Sequence, residues 1–352
     1  MDRFLKIKEM VFPRDVLVGH KASEQIPELC SRIVDGNALV VSDKITKKIL
    51  GDKVIKLLKE NNYSVHSIII SASTLKEVKK VERTIKKNSI SFVLGVGGGT
   101  VIDVSKFAAY RTSVDFISVP TAASHDGIAS PQASLKESKG STSKRAVSPL
   151  AIVADTSVIK KAPYRMLASG CADVISNLTA IKDWELAYRL KNEEFSTYAT
   201  SLSKTSAQLI LREADIIKTN SEAAVWTAVK GMIVSGVAMS VAGNSRPASG
   251  AEHMFSHVLD KIAPGRAMHG EQCGVGAIMM MYLHGGDWEE IRDALKKIGA
   301  PTTAKELKIP KKKIIQALVT AHSIRPERYT ILGEGGLTKE AAKAVAKKTG
   351  VI

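Results

Sequence analysis

The sequence predicts an α/β protein with two domains: an N-terminal domain with a Rossmann-like parallel sheet and an all-α C-terminal domain. Short apolar segments alternate with amphipathic segments over residues 37–154, and strand patterns disappear from residue 163 onward. Alternating strands and helices with apolar strands are typical of a parallel sheet that helices cover on both faces. The predicted domains are therefore residues 1–162 and residues 163–352.

Apolar segments define the predicted strands of the N-terminal domain, at residues 37–42, 65–71, 92–95, 116–120 and 150–154. Asp43, Gly97 and Thr121 each follow one of these segments. Ligands of parallel sheets bind beyond the carboxyl ends of the strands, so we expect these positions to share one crevice. Residues 136–148 are polar and rich in Ser and Lys, which predicts a hairpin or a flexible loop.

Helical periodicity follows the second strand and fills the C-terminal domain. The predicted helices cover residues 74–87, 171–189, 197–218, 222–242, 249–262 and 274–283. The longest apolar stretches, residues 232–241 and 275–283, are shorter than the ~20 residues that span a bilayer, so we expect no stable membrane insertion.

The composition indicates a basic globular protein of the cytoplasm. Lys and Arg total 51 against 35 Asp and Glu, which gives a net charge of +16. The lysines are spread along predicted helices and aromatic residues make up only 5%, so a solvated surface is favoured over a nucleic-acid interface. The start of the sequence has no apolar signal segment, and the three cysteines lie far apart, which predicts reduced thiols.

Three consecutive glycines, Gly97, Gly98 and Gly99, end the third predicted strand, and a helix is predicted to follow them. We call these residues the glycine turn. Bare backbone and the free amides of a helix N-terminus together form an anion site, which suits a dinucleotide phosphate. Thr100 stands where the last glycine of the G-x-G-x-x-G pattern belongs, so a turn that merely connects strand and helix remains an alternative.

Histidines are concentrated in residues 246–274. Ser249 and Glu252 fit a capping box, which places the helix start at Gly250 and puts His253 and His257 on one helical face. His269 follows twelve positions after His257. The histidines are either metal ligands or ordinary polar residues at a helix edge.

Asp173 is predicted to open the helix 171–189, where a carboxylate is favoured by the helix dipole. It becomes a candidate ligand only together with the histidines. One carboxylate and two imidazoles leave an open position on zinc, as a catalytic site requires.

Small residues and Asp126 occupy residues 120–131, directly after the fourth predicted strand. Such a loop suits close approach to a cofactor and adds a charged group at the crevice. A turn-rich connection without a binding role is the alternative.

Together these motifs resemble the superfamily of iron-containing alcohol dehydrogenases, glycerol dehydrogenases and dehydroquinate synthases. The resemblance covers nearly the whole chain and rests on the GGGxxxDxxK pattern from Gly97, the Pro-Thr-x-x-Ser loop from Pro120, Asp173 and the run from His253 to Glu271. Residues 124–134 and 170–177 most resemble the archaeal sn-glycerol-1-phosphate dehydrogenases. Long-chain iron enzymes carry a further histidine where this chain has Asn177, and dehydroquinate synthases carry glutamate at the Asp173 position.

The resemblance implies NAD(P)H-dependent, zinc-assisted reduction of dihydroxyacetone phosphate to sn-glycerol 1-phosphate, the backbone of archaeal membrane phospholipids. It also implies a homo-oligomer. Cofactor preference between NAD(H) and NADP(H) stays open. The alternatives are a glycerol dehydrogenase-like polyol oxidoreductase, a lyase that uses NAD transiently and, from another class, a nucleic-acid-binding protein on the same fold.

The resemblance also assigns roles to residues. Asp173, His253 and His269 would bind the metal, and Asp126, Asp173 and His257 would contact substrate and take part in catalysis. The residues implied for the cofactor are Asp43 at the ribose, Gly97, Gly98, Gly99, Thr100 and Val101 at the pyrophosphate, and Thr121, Ala122, Ala123, Ser124 and Ser130 near the nicotinamide. For the substrate phosphate, the candidates are Lys144, Arg145, Arg246 and Arg266.

Overall fold

Six parallel strands form the central sheet of the computed structural model, which describes residues 9–137 and 140–352. The strands are β1 (Asp15–Gly19), β2 (Asn37–Ser42), β3 (Val65–Ile69), β4 (Ile90–Gly97), β5 (Asp115–Pro120) and, after a separate hairpin, β8 (Ala151–Asp155). Their order across the sheet is β1-β8-β5-β4-β2-β3. The predicted parallel sheet is confirmed.

Helices cover both faces of this sheet. The helices of this part are α1 (Ile26–Ile33), α2 (Lys44–Thr46), α3 (Asp52–Glu60), α4 (Leu75–Lys87) and α5 (Gly99–Thr112). Along β2, Ala38 and Val40 pack with α1 and α3, whereas Leu39 and Val41 pack with α4 and α5. Because both faces are buried, the strands read as continuous apolar runs.

Two strands differ from the prediction. The strand β1 was not predicted from the sequence; it is an edge strand that pairs only with β8 and leaves Val16 43% exposed. Such a strand lacks the continuous apolar run of the inner strands. The strand β4 begins at Ile90 and ends at Gly97, so it is longer than the predicted 92–95 and includes the first glycine of the turn.

The polar segment forms an antiparallel hairpin of β6 (Gln132–Glu137) and β7 (Gly140–Arg145). The hairpin alternative for residues 136–148 is therefore confirmed, although the hairpin begins earlier than predicted. Residues 138 and 139 of that segment lie outside the described residues. Helix α5 packs against β6, which places the hairpin beside the glycine turn.

After Asp155, all regular secondary structure in the described chain is helical. They are α6 (Thr156–Ile159), α7 (Tyr164–Lys191), α8 (Thr197–Arg212), α9 (Ala214–Lys218), α10 (Glu222–Ala242), α11 (Ala251–Ile262), α12 (His269–Leu283), α13 (Trp288–Ile298), α14 (Lys311–Thr320) and α15 (Lys339–Lys348). Helix α7 is the central one, with α8, α10, α11, α12 and α13 packed around it. The helical part is thus confirmed, while the division between residues 162 and 163 stays a prediction.

Helix α10 is long and apolar enough to cross a membrane, the one such helix among the residues that the structure describes. Within its most apolar window 67% is buried inside the fold, where it packs against α7 and α8. The core helices of globular proteins share this pattern.

Three helix starts were predicted wrongly. Helix α7 begins at Tyr164, so Asp173 lies in its third turn instead of at its start. Helix α12 begins at His269 and not at residue 274, and α11 begins at Ala251 without a capping box. Glycine and serine lower the helix propensity of these first turns, but packing against neighbouring helices outweighs that preference.

Candidate metal centre and dinucleotide crevice

The chain changes direction across the sheet between β2 and β4. From β2 it continues to the edge strand β3, whereas from β4 it continues to β5 on the other side. The loops after β2 and β4 therefore diverge and leave a crevice, the usual ligand position in such sheets. Asp43 follows β2, and its Oδ1 accepts hydrogen bonds from the amides of Ile45 and Thr46, both at 2.8 Å.

The glycine turn presents free amides at the start of α5. Gly98 is the N-cap, and the amides of Gly99 and Thr100 stand where no earlier helical carbonyl can accept them. The Val101 amide already donates to the Gly98 carbonyl at 2.9 Å. A Cβ on Gly99 would lie 2.1 Å from His125 Nε2, so a larger residue here would force this imidazole to move. The arrangement suits a phosphate at the helix N-terminus.

A buried lysine ties α5 to the following loop. Lys106 is fully buried, and its Nζ donates to the carbonyls of Gly127 at 2.6 Å and Gln132 at 2.7 Å. Asp103 Oδ1 lies 4.0 Å from the same nitrogen. Burial lowers the pKa of Lys106 to about 8 and raises the pKa of Asp103 to about 7. The lysine therefore holds the loop 121–130 against the glycine turn.

Asp173, His253 and His269 converge on one point, and we call them the donor cluster. Asp173 Oδ1 lies 3.7 Å from Nε2 of His253 and 3.7 Å from Nε2 of His269. This carboxylate oxygen is buried and has no hydrogen-bond partner among the described residues. Bonds of 2.0–2.1 Å to a tetrahedral zinc separate neighbouring donors by ~3.4 Å. The three atoms are thus spaced to share a small divalent cation.

Hydrogen bonds at the opposite ring nitrogens orient both imidazoles. His253 Nδ1 lies 2.9 Å from Oε1 of the fully buried Glu252, and His269 Nδ1 lies 3.0 Å from Ser256 Oγ. Burial by itself would lower the pKa of His253, but Glu252, together with the charges of Asp173 and Asp126, raises the pKa overall. Burial lowers the pKa of His269 to about 3, which keeps it neutral and able to ligate. Both Nε2 atoms face Asp173 Oδ1, and Cys273 Sγ lies 3.6 Å from Nε2 of His269.

Cys273 and Asn177 border the donor cluster. Cys273 Sγ also lies within the 4.8 Å range that joins the donor atoms, one turn after His269 on α12. Burial raises the pKa of this thiol well above its usual range. The side-chain amide of Asn177 donates to Ser235 Oγ at 2.9 Å.

Asp126 links the loop after β5 to the donor cluster. Its amide donates to Asp173 Oδ2 at 3.1 Å, and its Oδ2 accepts a hydrogen bond from Ser235 at 2.7 Å. Burial, and next the charge of Asp173, raises the pKa of Asp126 to about 7. His257 stands in the same cavity with its Nδ1 buried and unpartnered within the described chain. Burial, followed by the charge of His269, lowers the pKa of His257 well below its usual range.

Two helical glycines allow close backbone contacts, Gly170 between α7 and the loop 121–130 and Gly270 between α12 and α7. A Cβ on Gly170 would lie 2.5 Å from the Ala123 carbonyl oxygen, and a Cβ on Gly270 would lie 2.0 Å from the Ser169 carbonyl oxygen. Backbone therefore touches backbone at both contacts. The loop 121–130 is fixed by Lys106 on one side and by α7 on the other.

One cavity of about 260 Å³ is lined by half of the predicted site residues. These are Gly99, Thr100, Asp126, Ser130, Asp173, His253, His257 and His269. Outside its lining lie Asp43, Gly97, Gly98, Val101, Thr121, Ala122, Ala123 and Ser124, at or just after the ends of β2, β4 and β5. The Thr121 amide donates to the Gly97 carbonyl at 3.0 Å, so the loop starts against the glycine turn. The Val101 side chain is buried in the core.

Curated relatives match this chain over nearly its full length. Glycerol-1-phosphate dehydrogenase (NAD(P)+) of Methanosarcina mazei is 54% identical over 346 residues, which cover 98% of this chain and 97% of that protein. The enzyme of the same name from Thermococcus sibiricus is 52% identical over the whole of both chains. The chain belongs to the glycerol-1-phosphate dehydrogenase family.

The wider superfamily is confirmed as well. A sequence profile of the iron-containing alcohol dehydrogenases matches residues 17–163 of this family member. Glycerol dehydrogenase from Schizosaccharomyces pombe has the same fold, with a TM-score of 0.82, 21% identity and coverage of 99% of this chain and 93% of that one. The resemblance stated from the glycine turn, the loop and the histidines is therefore correct.

Several residues of the site were not predicted from the sequence. Glu252 was interpreted as a capping residue, yet its carboxylate orients His253 and also accepts from the Gly250 amide. In the sequence, this role is indicated by the position of Glu252 directly before His253. Ser235 interrupts the apolar run of α10, and this interruption was also visible in the sequence. Cys273 and Arg325 gave no signal, because only the folded chain brings them to the cavity and its edge.

Replacing Glu252 by glutamine tests the orientation of His253. We expect the metal affinity to fall roughly 10- to 100-fold, because a neutral amide holds the imidazole less strongly than a carboxylate. Metal competition against a chromophoric chelator measures this. Glu306→Gln is the matched control, since Glu306 also accepts hydrogen bonds from backbone amides but lies away from the cavity. Equal metal affinity in the two variants contradicts the assignment.

Proposed function

We propose that this chain is an NAD(P)-dependent oxidoreductase that reduces dihydroxyacetone phosphate to sn-glycerol 1-phosphate. The observation that carries the proposal is Asp173 Oδ1, a buried oxygen without a partner that faces two oriented imidazole nitrogens. The other carboxylate oxygen of Asp173 accepts a hydrogen bond from the amide of Asp126, which lies in a loop that begins against the glycine turn. Full-length relatives named for this activity support the same assignment.

Zinc fits the donor cluster. Two imidazoles and one carboxylate are donors that zinc prefers, and the set leaves a position open for substrate. Asp173, His253 and His269 would hold the ion. When bound, zinc supplies a Lewis acid that stabilises the negative charge developing on a carbonyl oxygen.

The cofactor would bind along the crevice between β2 and β4. The amides of Gly99 and Thr100 would receive the pyrophosphate, and Asp43, whose Oδ1 is committed to backbone amides, would offer its other oxygen to the ribose. Thr121, Ala122, Ala123, Ser124 and Ser130 would border the nicotinamide. Ser42 and Lys44 beside Asp43 make a 2′-phosphate admissible, so both NADH and NADPH are proposed cofactors.

Two residues of the cavity are placed to handle the proton of the reaction. Hydride from the nicotinamide forms the new C–H bond at the ketone carbon, and a proton must reach its oxygen. His257 is neutral at pH 7, and its unpartnered Nδ1 offers a position for a substrate group. Asp126, with a pKa of about 7, can hold or release a proton near neutrality, while Ser235 fixes its orientation.

The proposal also covers the location, assembly and metabolic role of the enzyme. We place the enzyme in the cytoplasm as a homo-oligomer that supplies glycerophosphate for archaeal-type phospholipids. The excess of positive charge attracts both the phosphorylated substrate and the dinucleotide.

Turnover with a chelation series tests the function. The purified protein is expected to oxidise NADH or NADPH with dihydroxyacetone phosphate and to form the 1-phosphate enantiomer. Dialysis against a strong chelator is expected to lower the rate by at least ~100-fold, and added Zn²⁺ to restore it. Turnover of dihydroxyacetone alone would favour a polyol dehydrogenase, and a rate that survives complete metal removal would contradict the metal-dependent mechanism.

A further inference from the structure

A second cavity adjoins the first along α11. It has a volume of about 480 Å³ and shares Gln132, Ser143, Ser245, His257 and Arg325 with the cavity of the donor cluster. The hairpin β6–β7 forms one wall, and the segment after α14 forms another. A substrate held at the donor cluster can therefore extend one end into this space.

The second cavity carries excess positive charge. Four cationic side chains line it, Arg145, Lys261, Arg325 and Arg328, against the single carboxylate of Glu327 among the described residues. Arg328 is occupied, because it donates to the Ser249 carbonyl and to Ser245 Oγ. The other three cations are available to a ligand, and an anion would offset their mutual repulsion.

Arg325 is the most confined of the three. It is half-buried, and it makes no hydrogen bond or ion pair with any residue that the structure describes. Burial lowers its pKa, and Glu327 opposes that effect only in part. A guanidinium that is removed from water without a partner is costly, and an oxyanion at its fork would supply the missing hydrogen bonds.

We propose that Arg325, with Lys261 and Arg145 beside it, forms the subsite that binds the phosphate monoester of the substrate. The inference rests on the proposed function, because it names the part of the molecule that distinguishes phosphorylated from unphosphorylated substrate. The subsite takes a dianionic phosphate, and it leaves the ketone end at the donor cluster.

The spacing along α11 fits this assignment. His253, His257 and Lys261 lie four residues apart and therefore share one helical face, each about 6 Å further along the axis. The phosphorus of dihydroxyacetone phosphate is three bonds from the ketone carbon. A ketone near His253 and His257 therefore places the phosphate toward Lys261 and Arg325, whose charges both act on His257.

Three of the four candidates named from the sequence fit less well. Arg246 is buried and forms a bidentate pair with Glu193, and it also donates to the Tyr329 carbonyl. Arg266 is exposed and lines neither cavity, and Lys144 lines neither as well. Arg145 lines the second cavity, but from an exposed position. Arg325 remains as the central cation.

Arg325→Ala tests the subsite in the metal-loaded, full-length enzyme. We expect the ratio of kcat/KM for dihydroxyacetone phosphate to that for dihydroxyacetone to fall on the order of 100-fold, through a higher KM for the phosphate ester. Arg325→Lys should recover part of the loss, since it keeps the charge without the fork. Arg292→Ala is the matched control, a partly buried arginine on α13 that is paired with Asp293.

A second measurement separates a binding role from a structural one. Inorganic phosphate should bind the wild-type enzyme in a calorimetric titration and should bind Arg325→Ala at least ~10-fold more weakly. Arg325→Ala should not lower the Tm, because it removes an unpaired cation. An unchanged substrate ratio in that variant overturns the proposal. If the wild-type enzyme does not reduce dihydroxyacetone phosphate at all, the proposed function fails, and the phosphate titration alone then upholds or overturns the subsite.

Discussion

Replacing Asp173 by asparagine is expected to lower the reductase rate by at least ~1,000-fold while the chain still folds. The carboxylate oxygen that faces His253 and His269 becomes part of a neutral amide, which is a much weaker zinc ligand. The substitution preserves size and shape, so the packing inside α7 is retained. Metal content per chain, measured by atomic emission after gel filtration, should fall in parallel with the rate.

The stability of the same variant gives a second readout. Because burial raises the pKa of Asp173, its charged form is costly in the metal-free protein, and the neutral amide removes that cost. The metal-free variant should therefore melt no lower than the metal-free wild type, and added Zn²⁺ should raise only the wild-type Tm. Asp287→Asn, at the N-cap of α13, is the matched control. A variant that binds one zinc per chain with wild-type affinity refutes the donor cluster.

Lys106→Met is expected to destabilise the fold by about 3–5 kcal/mol. The change removes both hydrogen bonds to the loop carbonyls and leaves the buried carboxylate of Asp103 without its cation. Denaturant unfolding followed by circular dichroism measures the loss. The double variant with Asp103→Leu should recover part of it, since no buried charge then remains unpaired.

The loss should also depend on pH. The pKa of Asp103 is raised to about 7 in the folded protein, and loss of the lysine raises it further. A folded pKa above the unfolded value means that stability falls as pH rises. The destabilisation by Lys106→Met should therefore be larger at pH 8 than at pH 5. Lys230→Met, on the exposed side of α10 beside Trp226, should change stability little at either pH. A pH-independent loss would show that the Asp103 charge is not involved.

Local patterns were sufficient for the sheet, its carboxyl-end crevice and the face shared by His253 and His257. Each of these depends on periodicity within one element, which the sequence records directly. The family could be assigned because the glycine turn, the loop and the histidines carry chemistry at fixed spacing. The start of α7 could not be predicted from local patterns, since packing against α12 outweighs the weak helix propensity of its first turns.

Residues that act across elements were the hardest to predict. Ser235 reaches Asp126 from more than a hundred positions away, and Arg325 reaches the cavity from a segment without regular charge patterning. Their roles depend on which helices pack together, and composition within a single element does not encode that. Glu252 is an intermediate case, because its position beside His253 was visible in the sequence but the hydrogen bond between the two side chains was not.

The backbone contacts of Gly170 and Gly270 have a consequence for the order of events in turnover. They pack the loop of Ala123 directly against the helix of Asp173, so the proposed sites of the nicotinamide and the cation would be joined through backbone contacts. We expect dinucleotide and zinc to load in either sequence, with neither altering the other's dissociation constant.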